Sequence, residues 1–457
     1  MALLPILSKI LEKVIFTQVV NYVETNDILH PSHHGSRPGH STCTAILELC
    51  SSWIDAIECG NMAAVMMLDL SAAFDLVNHK LLLEKLKLMG FGASTVKWFK
   101  SYLADRSQCV CIDGKLSELV EVPVGVPQGS VLGALLYMLF VNELPSVIHD
   151  YSDLDGNLDQ LAEHNDLDNN LEHELLCCYV DDSTVTVSSS DPLELTMRLS
   201  SLYKRLSGYF GNNRLVINDD KTHLLVIATR KYAKLRDLVT ISTGTVTIKP
   251  TDSEKLLGLH IHQSLKWKEH LVAGKGSLLN SLISRLNGLK RVSINASFRT
   301  RLTIANACFM SVLVYMMVVW GGAEGYVIKM IQGIQNKAAR VVTKKSWYTP
   351  TRILLKECNW LSVKQLIFLH TAVQIWKIIM NRSPKNIYSK LRMANTRSGQ
   401  NGNLAIPAFQ TALGRNSFMV KALLIWNRVP MDIRMTTSLH SFKGKLKAWI
   451  RTNIDIE

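Results

Sequence analysis

Asp181 and Asp182 stand side by side in the stretch Cys178-Tyr179-Val180-Asp181-Asp182-Ser183. The flanking residues alternate and are rich in β-branched types, which predicts two short strands with the carboxylates at the tip of a hairpin. Neighbouring carboxylates repel unless a cation lies between them, and hard divalent ions such as Mg²⁺ take oxygen ligands of this kind. An ordinary Asp-rich turn is the plainer reading of so short a pattern. A third carboxylate shifts the balance. Met62–Leu68 is an unbroken apolar run, the pattern of a buried strand, and it ends at Asp69. A carboxylate just past a buried strand needs solvent, a partner or a metal. The competing reading is that Asp69 or Ser71 caps a following helix.

The rest of the chain must position these groups. Apolar residues at helical spacing span Pro5–Leu29, and a Gly/Pro-rich loop over 33–42 ends in Ser41 or Thr42, either of which caps a helix over Ala45–Ile57. Arg37 in that loop is a surface charge or a phosphate contact. Helical patterns cover Lys80–Met89 and Thr95–Leu103, and Asp113-Gly114 marks a hairpin turn. The stretch Gly125–Gly133 leads into an apolar helix at Ala134–Val141; its glycines permit close backbone approach to a ligand. Pro192–Phe210 reads as helix. Leu215–Ile217, Asn218–Lys221 and Thr222–Ile227 read as strand, turn and strand; Leu238–Ile248 reads as a hairpin and Leu256–Ile261 as one strand. Beyond that the pattern is helical to the end. The apolar run Ala307–Gly321 is short for a membrane span and predicts one buried helix.

Charge divides the chain. Residues 1–220 hold 14 Lys and Arg against 29 Asp and Glu, and residues 221–457 hold 37 against 9. The acidic half carries the candidate metal site, and the basic half suits a polyanion, nucleic acid foremost. Ser146–Glu174 contains nine acids and no Lys or Arg, and reads as a solvated insert without the ligand pattern of a calcium loop. The nine cysteines lack zinc-ligand spacing, and no signal peptide opens the chain, so a reduced intracellular protein without a membrane span is expected.

Taken in order, these stretches resemble the reverse transcriptases of non-LTR (LINE-type), jockey-like retrotransposons. Leu7–Ile15 resembles the end of the family's first fingers block and His34–Thr42 its second. Leu68–Asp75 resembles motif A, Gly125–Gly133 motif B, Tyr179–Asp182 motif C, Asn218–Thr222 motif D and Leu256–Leu259 the primer grip. Leu354–Val363 and Ile425–Pro430 resemble blocks of the family's C-terminal part.

The resemblance implies an α+β right-hand polymerase fold. Fingers and palm, an antiparallel sheet with helices, would occupy 1–262, a helical thumb 263–330 and a basic helical region 331–457. It implies an RNA-directed DNA polymerase with RNA template, DNA primer and dNTPs as partners. Two Mg²⁺ ions, or Mn²⁺, would be held by Asp69, Asp181 and Asp182 with the Leu70 carbonyl. Phe74 would close against the sugar C2′ and select dNTPs. Gln128 would line the nucleotide site, Lys221 would sit near the triphosphate as a proton donor, and Arg37, Lys9 and Lys13 are further triphosphate candidates. Gly125, Pro127, Gly129, Leu257 and Gly258 would meet template or primer. Ser36 stands where the family usually has Phe, and Ala134 where motif B usually continues with Pro. The chain opens inside the first fingers block, so an N-terminally truncated copy is expected, with endonuclease and element RNA-binding protein supplied in trans. Two other readings remain: an inactive relic that only binds nucleic acid, and an RNA polymerase of viral type, which Phe74 fits poorly.

Overall fold

The computed structural model describes residues 4–148, 174–274, 276–394 and 402–454. Most of the insert at Ser146–Glu174 therefore lies outside the described residues. The chain forms two compact units, one of residues 1–45 and 60–251, the other of residues 46–59 and 252–457.

The first unit is built on a five-stranded sheet of β1 (Met62–Leu68), β2 (Glu174–Tyr179), β3 (Asp182–Ser189), β4 (His223–Ile227) and β5 (Pro250–Thr251), in the order β5-β4-β1-β3-β2. β1 lies in the middle, antiparallel to β3 and β4, and every one of its seven residues is buried. That explains why its sequence is continuously apolar and does not alternate. β2 and β3 form the hairpin that the sequence predicts, and β5 pairs in parallel with β4.

Helices cover this sheet. Pro192–Asn212 starts with Pro192 behind the cap Asp191, whose side chain accepts the Leu193 N–H. It buries Leu195, Leu199, Leu202, Leu206 and Phe210, a stripe at helical spacing, into the same core as Met62, Ala64, Met66 and Leu68. Gly133–Phe140 is apolar all round and almost wholly buried beside it. Ile6–Thr25 is tied to that helix by a charge. Glu12, 1% exposed, accepts the N–H groups of Val131 (2.6 Å) and Leu132 (3.3 Å), which lead into Gly133–Phe140. A carboxylate at a helix N-terminus satisfies N–H groups that have no partner within the helix.

Thr42–Glu58 is capped at Ser41, whose Oγ accepts the Thr44 N–H while Thr44 Oγ1 accepts the Ser41 N–H. Residues 46 onward of that helix belong to the second unit. There the Glu58 carboxylate accepts the N–H groups of Gln410 (2.6 Å) and Thr411 (3.0 Å).

Among the described residues the second unit is helical apart from one small hairpin and an isolated bridge. Trp376 and Trp426 pack on Phe442 with ring centroids 5.5 and 6.3 Å apart, and Ser362 with Gln365 forms a capping box at the start of Val363–Asn381. Two expectations fail here. Leu256–Ile261 is a hairpin, Ser253–Leu256 against Leu259–His262, because Leu257 (φ +46°) and Gly258 (φ +84°) make the tight turn. The run Ala307–Gly321 is broken: π-helical turns over Ala305–Met310 lead into Ser311–Val314, and Met316 at φ +52° separates that turn from Met317–Trp320. Among the described residues no helix is long and apolar enough to cross a membrane.

Replacing Glu12 with Ala leaves the Val131 and Leu132 N–H groups buried without a partner. Equilibrium urea unfolding should show a loss of about 1–3 kcal/mol. Lys13→Ala, on the exposed face of the same helix, should stay within about 0.5 kcal/mol.

Candidate active site

The hairpin of β2 and β3 turns on two residues. Tyr179 pairs with Asp182, which leaves Val180 and Asp181 as the turn. Val180 sits at φ +61°. For a β-branched residue that is an outlier of the kind that persists only when its surroundings enforce it, at a cost of about 1–3 kcal/mol.

Residues 32–35 supply that enforcement. The His34 N–H donates to the Cys178 carbonyl and the Cys178 N–H donates to the Ser32 carbonyl, both at 2.8 Å, so this segment runs parallel alongside β2. At Gly35 the approach is closer still. A Cβ there would lie 2.6 Å from Val180 Cγ2. Gly35 does not have a positive φ, so glycine is required by the neighbour and not by the local backbone.

Asp69 comes to the hairpin through sheet register. Leu68, the last residue of β1, pairs with Ser183, so Asp69 leaves the strand beside the end of β3 that starts with Asp182. Its other side is fixed by a short ladder: Asn218 N–H donates to the Asp69 carbonyl (2.8 Å), and Ser71 N–H donates to the Val216 carbonyl (2.9 Å). Neither bond uses the Leu70 carbonyl, since Leu70 is the bridged residue between them. The cap reading of Asp69 and Ser71 fails, because residues 71–76 are turn and the following helix, His79–Leu88, is capped by Asn78.

The same ladder delivers Lys221. Asp219–Lys221 forms one 3-10 turn, and the Lys221 ammonium lies 3.9 Å from Asp69 Oδ2. Asp219 faces other partners: the Tyr203 hydroxyl donates to it, as does that of Thr245 at 3.1 Å.

Three carboxylates thus share one end of the sheet. Asp181 and Asp182 reach solvent, yet both are pushed up from the ordinary carboxylate range. Partial loss of water is the largest cause for each. The charge of Asp69 adds to it at both, and that of Asp181 adds to it at Asp182, whose pKa rises to about 6. Crowded oxygen donors of one sign make a centre that a hard divalent cation would relieve. The chemistry of the donor set fits such an ion. Among the described residues, however, no three His, Cys, Asp or Glu side chains already form a group able to hold one, so Asp69, Asp181 and Asp182 are neighbours and not a closed chelate.

The loop over 125–130 is zipped to the turn that carries Phe74. Val126 N–H donates to the Phe74 carbonyl and Gly125 N–H to the Val77 carbonyl, both at 2.8 Å, and His79 Nε2 donates to the Gly125 carbonyl at 2.7 Å. Gly125 lies at φ +92°, and a Cβ there would stand 2.7 Å from the Asp75 carbonyl oxygen. Phe74 stacks on the buried Tyr137 with centroids 5.4 Å apart. Gln128 and Gly129 are exposed and Pro127 is half-buried.

Other expected residues have different roles or places. Arg37 forms a two-point pair with Glu24 (2.7 and 2.9 Å) and donates to the His30 carbonyl at 2.9 Å, so its guanidinium holds the loop together. Lys9 and Lys13 lie on the exposed face of Ile6–Thr25. Leu257 and Gly258 belong to the second unit, where the Tyr315 hydroxyl donates to the Leu257 carbonyl at 2.7 Å. Sequence reasoning missed Glu12, Gly35 and Asn218. A carboxylate within a helix of apolar spacing was the one signal available for Glu12.

Residues 1–261 match the family model described as reverse transcriptase (RNA-dependent DNA polymerase). The chain is 26% identical over 371 residues to the probable RNA-directed DNA polymerase from transposon BS of Drosophila melanogaster, covering 81% of this chain and 39% of that protein. It is 25% identical over 351 residues to the RNA-directed DNA polymerase from mobile element jockey of the same species, covering 77% and 36%. The chain thus spans about two-fifths of the length of these curated relatives. Among solved structures, telomerase from Candida tropicalis in complex with a TWJ fragment of telomeric RNA is similar at 13% identity and a TM-score of 0.40, covering 99% of this chain and 57% of that one. That likeness is too distant to carry an argument.

Two outcomes are expected. Gly35→Ala should force Val180 away and disorder the turn, raising amide hydrogen exchange across 176–184, and Val180→Gly in the same chain should restore protection; unchanged exchange in Gly35→Ala would sink the contact. For Asp182, a folded-state pKa near 6 against an ordinary 3.8 means that the folded chain holds the extra proton between those values. Its contribution to stability is therefore lost as pH rises from about 4 to 6. Above pH 6, Asp182→Asn should unfold later than wild type by about 1 kcal/mol, once solvent screening is allowed for, and the gap should close near pH 4.

Proposed function

This chain belongs to the reverse transcriptase (RNA-dependent DNA polymerase) family, and on that premise we propose that it copies RNA into DNA for a jockey-like non-LTR retrotransposon. The observation that carries the reading is the meeting of Asp69 with Asp181 and Asp182 at the end of β1, with the Lys221 ammonium 3.9 Å from Asp69.

Reverse transcriptases work with divalent metal ions, and Mg²⁺ is the ion proposed here, with Mn²⁺ as a substitute. Asp69, Asp181 and Asp182 would hold two such ions, with the Leu70 carbonyl as a further oxygen. Bound there, the ions would acidify the primer 3′-hydroxyl and neutralise charge building on the triphosphate. Lys221 would give a proton to the departing pyrophosphate. Phe74, backed by Tyr137, would present its ring to the sugar C2′ and leave no room for a 2′-hydroxyl. Gln128 and the backbone at Gly125, Pro127 and Gly129 would line the nucleotide and template, since glycine lets backbone come close.

We assign fingers and palm to residues 1–262. The turn at Leu257 and Gly258 would steady the primer, residues 263–330 would form the helical thumb and residues 331–457 a basic helical C-terminal region. The basic charge of that half suits a template–primer duplex. One observation favours a second reading, a chain that binds nucleic acid without extending it: the three carboxylates do not form a ready chelate among the described residues.

Primer extension with dNTPs and Mg²⁺ on an RNA template decides between the two. Wild type should extend, and Asp181→Ala should lose at least about 100-fold in rate. No extension by wild type, or full extension by Asp181→Ala, would overturn the polymerase reading. Phe74→Ala should raise the relative use of rNTPs about 10-fold or more. Lys221→Ala should lower kcat about 100-fold.

A further inference from the structure

We propose that the loop 344–350 of the second unit is a stacking platform for single-stranded nucleic acid. It follows the helix Gly325–Thr343, which Lys344 closes at φ +54°, its N–H donating to the Arg340 carbonyl at 2.8 Å. A tight turn follows, with Thr349 N–H donating to the Ser346 carbonyl (3.0 Å), before the helix Thr351–Glu357 begins. At its tip Trp347 is 68% exposed and Tyr348 92% exposed. Elsewhere in the second unit, Trp320, Trp360, Trp376 and Trp426 are buried, so these two rings are not core residues.

Trp347 is exposed but held. The Arg340 guanidinium lies 4.6 Å from its ring centroid, and Arg340 Nη2 donates to the Trp347 carbonyl at 3.3 Å. One face of the indole is covered by a cation, and the ring is oriented before any ligand arrives. A base stacking on the open face would complete a guanidinium–indole–base sandwich.

Charge selects the occupant. Residues 337–357 contain six Lys and Arg and one carboxylate, Glu357, which pairs with Lys345 at 3.0 Å. The cations flank the rings in sequence: Lys337 and Arg340 precede them on one helix, Lys344 and Lys345 adjoin them, and Arg352 and Lys356 follow on the next. A second copy of this chain would bring the same positive patch against itself. A polyanion with accessible base faces matches both features, and a duplex does not, because its base faces are stacked inside. The platform belongs to the second unit, whereas the carboxylates belong to the first, and the proposal does not depend on the polymerase reading.

The test is equilibrium binding of the full chain to fluorescein-labelled oligo(U), oligo(dT) and a blunt RNA duplex, each about 20 units long, over a range of salt. Trp347→Ala/Tyr348→Ala should weaken binding of both single strands about 10-fold or more, affect the duplex much less, and leave the salt slope unchanged. Trp347→Phe should retain most of the affinity, which a misfolded variant would not. Lys344→Ala should instead flatten the salt slope, by about 0.7 for a single-strand phosphate contact. A larger loss on oligo(U) than on oligo(dT) would make RNA the ligand, and equal losses would make it any single strand. Binding by the double variant equal to wild type, or an equal loss on duplex, would overturn the proposal. So would dissociation of a dimer in the double variant with single-strand binding intact.

Discussion

Repulsion among three carboxylates is the constraint around which the first unit is built. Asp69, Asp181 and Asp182 are brought together by a sheet whose central strand is buried along its whole length. The apolar burial of β1 and its neighbours is large and non-directional, whereas the opposing electrostatics are local and concern a few partly solvated groups. The fold can therefore hold like charges together at its edge. The cost appears in the raised pKa values of Asp181 and Asp182. It also appears in the backbone: Val180, which precedes the pair, occupies a region of φ that β-branched residues avoid. The electrostatic cost falls as positive charge arrives, and the Lys221 ammonium lies 3.9 Å from Asp69 Oδ2.

The parts that hold this arrangement come from distant stretches of sequence. Residues 32–35 brace β2 from the outside, and residues 216–218 brace Asp69 from the other. Glu12 locks the start of the helix after Gly125–Ser130, and that loop is zipped to the turn bearing Phe74. Displacing any of these braces moves an atom that the chemistry needs, without touching a carboxylate. This is why glycine at position 35, remote in sequence, matters to the geometry at 180.

How legible all this was depended on the kind of signal. β1 was readable to the residue, because a strand buried on both faces has no polar position. The hairpin and the long helix after it followed from alternation and from a helical stripe. The triad could be proposed because order along the chain matched a family, although register, which only the structure gives, brings Asp69 beside the end of β3 that starts with Asp182. What could not be read depended on unusual backbone. Leu257 in a left-handed turn gave no cue, so a hairpin looked like one strand, and Met316 broke a helix that composition made continuous. Arg37 showed the limit of residue type: a guanidinium suited to a phosphate is equally suited to a carboxylate, and Glu24 lies within reach.

A divalent cation is the counter-charge proposed for the carboxylate end of the sheet. The most direct measurement is the number of Mn²⁺ ions bound per chain, followed by electron paramagnetic resonance in the presence of template–primer and a non-hydrolysable dNTP. Two ions bound by wild type, and loss of binding in Asp69→Asn, are the predicted result. Absence of bound Mn²⁺ at millimolar concentration, or the same stoichiometry in Asp69→Asn, would contradict it.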